Sequence, residues 1–275
     1  MKNTIKILFT LLLLTGLTSC SDDDDGTSDG PTGNSKTYSL GSVADPSISG
    51  TATFIENGNG TITIELDIFG TPDGGMHPAH IHFNTAAEGG DIALTLGTVD
   101  GTTGFSTITT GELDNGDAIS YNELLTFDGY INVHLSPSEL TTIVAQGDIG
   151  QNELTNESVV YSLDELNSSG VSGSLTFTER VNGEALAVID LDNTVSGSMH
   201  PAHIHAGSVI TAPGAIIFTF NMVDGDTGMS MTNVTELDDN SDFNFSDALT
   251  VNGYVNIHLS PADLTVVAQS DIGIN

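Results

Sequence analysis

A stretch of seven residues occurs twice, letter for letter. Met76-His77-Pro78-Ala79-His80-Ile81-His82 returns 123 positions later as Met199-His200-Pro201-Ala202-His203-Ile204-His205. Gly129-Tyr130-Ile131-Asn132-Val133-His134-Leu135-Ser136-Pro137 returns 124 positions later as Gly253-Tyr254-Val255-Asn256-Ile257-His258-Leu259-Ser260-Pro261. Val99-Asp100-Gly101 and Val144-Ala145-Gln146 recur at the same spacing, as Val223-Asp224-Gly225 and Val267-Ala268-Gln269. Whatever this chain folds into, it folds into it twice. A period this long is that of a domain, far above the roughly 20–50 residues of a solenoid unit. The copies are placed at 37–150 and 158–275, joined by a short linker.

Inside each copy the apolar period is two. Ile62, Ile64, Leu66 and Ile68 alternate with Thr63, Glu65 and Asp67, and Leu175 and Phe177 alternate with Ser174, Thr176 and Thr178. Alternation of this kind marks a half-buried strand. Turn signals punctuate it: Asn57-Gly58-Asn59-Gly60, Asp73-Gly74-Gly75, Asp114-Asn115-Gly116 and Asn182-Gly183. The pattern predicts an all-β protein of two tandem antiparallel β-sandwich or barrel domains. One short helical turn is expected at 136–140, with Ser136 as cap and Pro137 at the first helical position.

The first twenty residues read as an address. Lys2 and Lys6 precede an apolar run from Ile7 to Leu17, which is signal-peptide length and too short to span a bilayer. The run ends in Leu17-Thr18-Ser19-Cys20. This resembles the lipobox of bacterial lipoproteins and implies cleavage before Cys20, lipidation of that residue, and a membrane hold without a transmembrane helix. Ser21-Asp22-Asp23-Asp24-Asp25-Gly26 resembles the acidic export signal of surface-exposed lipoproteins in some Gram-negative bacteria. The expected location is the outer membrane, lipid-anchored, on the cell surface rather than the periplasmic face. Residues 21–36 read as a flexible acidic tether. Cys20 is the sole cysteine, which excludes an intrachain disulfide and a cysteine-based metal site. Removing residues 1–20 takes two lysines and no acid, so the net charge goes from −33 to −35. Nucleic-acid binding is excluded on that ground, since phosphate recognition needs clustered Lys and Arg.

The His-Ile-His motif, followed by Gly-Tyr-hydrophobic-Asn-hydrophobic-His, resembles the CHRD domain of chordin and of many bacterial secreted proteins. The resemblance covers both copies. It implies an immunoglobulin-like β-sandwich with a limited likeness to copper/zinc superoxide dismutase, and it implies no settled biochemical function. Family members often end in a Gly-Glu-Ile-Arg-Gly-type strand. Here the ends read Val144 to Gly150 and Val267 to Gly273, without the arginine.

All eight histidines lie in the repeated motifs, four per copy. His80 and His82 are two apart on a strand and share a face, opposite Ala79, Ile81 and Phe83. His134 shares its face with Tyr130, Asn132 and Ser136, opposite Ile131, Val133 and Leu135. His203, His205 and His258 repeat the arrangement. The imidazoles are therefore expected on the outer, polar face of each sheet, where three or four could converge if the two strands are neighbours. A His-x-His pair with a remote His is a sensible cage for copper or zinc. The candidate ligands are His77, His80, His82 and His134 in copy one, and His200, His203, His205 and His258 in copy two. Asp91 or Asp100 is a candidate oxygen ligand or orienting group. Met76 and Met199 offer thioethers. The competing reading is a structural hydrogen-bond network among His80, His134 and Asn132.

Three functions fit. One is a non-enzymatic surface lipoprotein binding an extracellular protein partner or a metal ion. A second is a superoxide-dismutase-like enzyme; against it, the acidic charge would repel an anionic substrate, and copy one has no arginine to guide one. The third is a surface scavenger of copper or zinc, to which negative charge would draw cations. No Gly-x-Ser-x-Gly elbow supports serine catalysis, and no EF-hand pattern supports calcium binding.

Overall fold

The computed structural model describes residues 29–275. The expected signal peptide, Cys20 and residues 21–28 of the expected tether lie outside the described residues. Copy one runs β1 (Pro31–Ser42), β2 (Ser49–Asn57), β3 (Ile62–Phe69), β4 (Met76–Phe83), β5 (Ile92–Asp100), β6 (Phe105–Thr110), α1 (Tyr121–Leu124), β7 (Asp128–Ser136) and β8 (Glu139–Gly150). Copy two runs β9 (Leu154–Glu165), β10 (Ser172–Arg180), β11 (Ala185–Asp192), β12 (Met199–His200), β13 (Ala202–Ala206), a 3-10 turn (Val209–Thr211), β14 (Ile216–Thr219), β15 (Val223–Asp224), β16 (Met229–Val234), α2 (Phe245–Ala248), β17 (Asn252–Ser260) and β18 (Asp263–Gly273).

The protein is all-β and sandwich-like, as its alternation predicts. Copy one closes into an antiparallel barrel of order β1-β2-β3-β6-β5-β4-β7-β8. Copy two repeats the order but stays open, as β14-β13-β17-β18-β9-β10-β11-β16, with β12 and β15 paired apart. In copy one, β5 meets β6 only at Asp100↔Phe105. In copy two the corresponding strand is broken into β14 and β15, and that single closing pair is missing.

Strand β3 illustrates why the sheet forms. Ile62, Ile64, Leu66 and Ile68 point into the core and are essentially inaccessible, while Thr63, Glu65 and Asp67 face out. Each such side chain contributes about 1.5–3 kcal/mol through burial. Each copy has its own core, one around Phe54, Leu66 and Ile131 and one around Phe177, Ile189 and Val255.

Three expectations shift. The ordered sheet begins inside the expected tether, where Ser35 and Lys36 of β1 pair with Ile55 and Phe54. It resumes at Leu154, opposite Arg180, inside the expected linker. Residues 136–140 form no helix: Ser136 pairs with Glu139, so Pro137 sits in a tight β-turn that returns β7 into β8. The alternation on both sides of that turn outweighs a capping signal with no helical run behind it. The helices stand elsewhere. Ser120 and Glu123 form a capping box on α1, and Asn244 and Asp247 form one on α2.

Both cations of the described residues sit where the copies meet. Arg180, on β10, is buried. Its Nη1 donates to Asp148 Oδ2 at 2.7 Å and to the Asn152 carbonyl at 2.6 Å, and its Nε donates to Asn233 Oδ1 at 2.8 Å. Asp148 also accepts from the Ala86 amide at 2.7 Å. Lys36 pairs with Glu153 at 2.6 Å.

Candidate metal centre

Strands β4 and β7 are antiparallel neighbours, which is the condition for the motifs to meet. Ala79 pairs with Val133, His80 with Asn132, Ile81 with Ile131 and His82 with Tyr130. Alternation then sorts the side chains: Ala79, Ile81, Ile131 and Val133 point into the core at 0% exposure. His80, His82 and His134 share the opposite face. In copy two, Ala202 pairs with Ile257, His203 with Asn256, Ile204 with Val255 and His205 with Tyr254. The face is the expected one, but it is covered. His134, His205 and His258 are buried, with loops bearing Gly90 and Asp114, or Gly214 and Asp238, and the first residues of β8 (Leu140) or β18 (Leu264) turned toward the groups.

Two groups of three imidazoles result: His80, His82 and His134, and His203, His205 and His258. Within each group one nitrogen per ring lies within 4.8 Å of the others. His80 Nδ1 and His134 Nε2 are 3.0 Å apart.

The hydrogen bonds behind the rings decide which nitrogens face the centre. A carbonyl only accepts, so a ring nitrogen bound to one must carry its proton. His82 Nδ1 donates to the Gly90 carbonyl at 2.9 Å, and His205 Nδ1 donates to the Gly214 carbonyl at 3.0 Å. His258 Nδ1 donates to the Leu264 carbonyl at 2.8 Å. In the neutral tautomer with that proton on Nδ1, Nε2 is the nitrogen that carries the lone pair. His82 Nε2, His205 Nε2 and His203 Nδ1 are buried with no hydrogen-bond partner. A flat ring backs each group: Tyr130 stacks on His82 and Tyr254 on His205, both with centroids 5.0 Å apart. Burial and the neighbouring imidazoles hold His80 and His203 below the ordinary histidine range, and burial does the same for His134. For His80, His134 and His203 this favours the neutral imidazole, the form that binds metal.

His77 and His200 stand apart. They share the inward parity of Ala79 and Ala202 and are 1% exposed. Their Nδ1 atoms donate to the carbonyls of His134 and His258, at 3.1 and 3.0 Å. They brace the backbone of a candidate ligand rather than join the group. His200 Nε2 also meets the Ser198 hydroxyl at 2.8 Å. Asp91 is exposed, next to Ile92, which pairs with His82. Asp100 is opposite Met76 at the far end of β4, where its carboxylate accepts from the amides of Thr102 and Thr103. Met76 and Met199 are exposed.

The acids that do reach the groups are Asp114 and Asp238, on loops following β6 and β16. Sequence reasoning passed over them because each is separated from its histidine by more than thirty residues. Asp114 accepts from the amide and hydroxyl of Thr95 at 3.0 and 2.7 Å, and Thr95 is the cross-strand partner of His80. Asp238 accepts from Thr219 at 3.0 and 2.8 Å, and Thr219 is the partner of His203.

No family model, curated protein or solved structure matches the chain.

Proposed function

We propose that this chain is a surface-anchored lipoprotein whose two CHRD-like domains each hold one copper or zinc ion, as a binding module rather than an enzyme. One observation carries the metal reading. In each copy three imidazoles converge, and the rings whose outer nitrogens donate to backbone carbonyls, His82 in copy one and His205 and His258 in copy two, turn Nε2 inward; His82 Nε2, His205 Nε2 and His203 Nδ1 are buried there without a hydrogen-bond partner. A purely structural histidine cluster would engage those inner nitrogens, because a buried polar atom without a partner costs about 1–3 kcal/mol. Carbonyl or carboxylate acceptors behind liganding histidines set the tautomer and ring direction of a metal site. The donors are all nitrogen, which suits copper and zinc over calcium or magnesium. The residues that would hold the ion are His80, His82 and His134, and His203, His205 and His258. A bound ion would supply Lewis acidity at a position left open by three ligands.

Two features argue against superoxide dismutation. The net charge is strongly negative, and both cations of the described residues, Lys36 and Arg180, are engaged in ion pairs at the junction, which leaves neither as a guide for an anion. Lipidation of Cys20, export to the cell surface and an extracellular protein partner belong to the same proposal; they rest on the leader and on the CHRD resemblance.

The test is metal content. The chain is loaded with Cu²⁺ or Zn²⁺, desalted, and its metal measured by mass spectrometry. About two ions per chain are expected, with one lost in His82→Ala/His134→Ala and the other in His205→Ala/His258→Ala. Absence of retained metal in the folded wild type refutes the reading and leaves the histidines structural.

A further inference from the structure

Gly90 serves His82, Gly214 serves His205 and Leu264 serves His258 as backbone acceptors, while His134 Nδ1 is buried without a partner. His80 and His203 turn Nδ1 inward and have no carbonyl on the outer nitrogen. The charge of Asp114 acts on His80 and that of Asp238 on His203, each against the effect of burial and of the neighbouring imidazoles.

The placement of these acids is built, and built twice. Each carboxylate receives two hydrogen bonds from the threonine directly across the ladder from the histidine. Each loop is also tied at the aspartate amide, Asp114 to the Ala93 carbonyl and Asp238 to the Ile217 carbonyl, both at 3.0 Å. The preceding Glu-Leu is shared by both copies and the residues that follow differ, Asn115-Gly116-Asp117 against Asp239-Asn240-Ser241, and the Thr–Asp pair keeps its place. A loop staple alone would need the hydrogen bonds and not the charge.

We infer that Asp114 and Asp238 are positioning residues of the two centres: each carboxylate, held on the threonine directly across the ladder from His80 or His203, adds fixed negative charge beside a site of three imidazole ligands. The inference rests on the metal reading above. Both carboxylates are exposed, so they act by a Coulomb field that salt screens.

The experiment uses the full chain and Cu²⁺ as the probe. Affinity is measured by competition with a chelator at ionic strengths of about 0.01 M and about 1 M, where the screening length falls from roughly 30 Å to 3 Å. Asp114→Asn/Asp238→Asn keeps an acceptor for Thr95 and Thr219 and removes the charge. It should bind copper about three- to tenfold more weakly at low salt, converge on wild type at high salt, and leave the visible copper band unchanged. Asp114→Glu/Asp238→Glu should restore most of the low-salt affinity. Equal affinity of the Asn variant and wild type at low salt overturns the inference while the metal reading stands. A gap that ignores salt overturns it too, by pointing to loop structure. A wild type that binds no copper removes both readings together.

Discussion

Replacing Arg180 by methionine isolates the junction between the two copies. The guanidinium side chain is fully buried and the Asp148 side chain is 8% exposed, so the pair sits out of water. Methionine keeps most of the volume and removes three hydrogen bonds. Asp148 retains the Ala86 amide but loses its cation, and the Asn152 carbonyl loses its donor. Breaking one side of a buried pair costs about 3–5 kcal/mol. Asp148→Asn should cost a similar amount, because it strands the arginine instead. The double variant strands neither charge, so its loss should fall short of the sum by about 2–3 kcal/mol. There is a ceiling on what unfolding can report, since the junction can open before either core melts. Calorimetry should therefore be paired with small-angle scattering, with a larger radius of gyration expected in the single variants. An additive double variant, or a single Arg180→Met loss under about 1 kcal/mol with unchanged dimensions, would refute the account of the junction.

Other expected outcomes follow from the same structure. Ser198→Ala leaves His200 Nε2 without the hydroxyl 2.8 Å away and should lower the stability of copy two by about 1–2 kcal/mol in urea unfolding. Gly75 occupies the matching position in copy one, where His77 Nε2 is buried without a partner; a new Cβ would come within 2.6 Å of that nitrogen and 2.9 Å of the Pro72 carbonyl oxygen, so Gly75→Ser should gain about 1 kcal/mol only if both the His77 ring and the Pro72 backbone yield. Burial and neighbouring rings hold His80, His134 and His203 below the ordinary 6.5. The unfolded chain therefore takes up these protons first, and stability should fall as pH drops below 6.5, read as a lower urea midpoint at pH 5 than at pH 7. Burial raises the Tyr38 phenol to about 12. Its folded form prefers to stay protonated, so stability should decline between pH 10 and about 12; phenolate absorbance that is complete at pH 10 in the folded chain would contradict this.

The repeat and the period-two alternation made the fold class legible, because each is a local property of the chain. Parity also placed His80, His82 and His134 on one face before their strands were known to pair. The same parity puts His77 with Ala79 and Ile81, on the inner face, so its exclusion from the group was readable; the proline after it drew attention away. Ser120-Tyr121-Asn122-Glu123 carried a capping-box spacing that marks α1. What could not be read was long-range. Closure of copy one depends on β1 meeting β8 at Gly41↔Gln146, across more than one hundred residues. The loops that cover the histidines and bring Asp114 and Asp238 near them are fixed by hydrogen bonds to β5 and β14, which no spacing announces. Strand register sets Asp114 and Asp238 on Thr95 and Thr219, the cross-strand partners of His80 and His203, a placement that a linear reading does not show.

Arg180 lies at the register position that Asn57 holds in copy one, since Pro31 faces Asn57 as Leu154 faces Arg180. Asn57 turns inward to Thr61 and Thr63 instead of reaching a neighbour. At the other end, Asp271 matches Asp148 and holds the Val209 amide as Asp148 holds that of Ala86, but among the described residues no cation comes to it. The unit thus has a plug and a socket, and of these two copies the second carries the plug that enters the socket of the first. A longer array built on this pattern would carry an arginine at that position in every unit but its first. The number of units physically coupled could then be counted in a sequence from that residue alone.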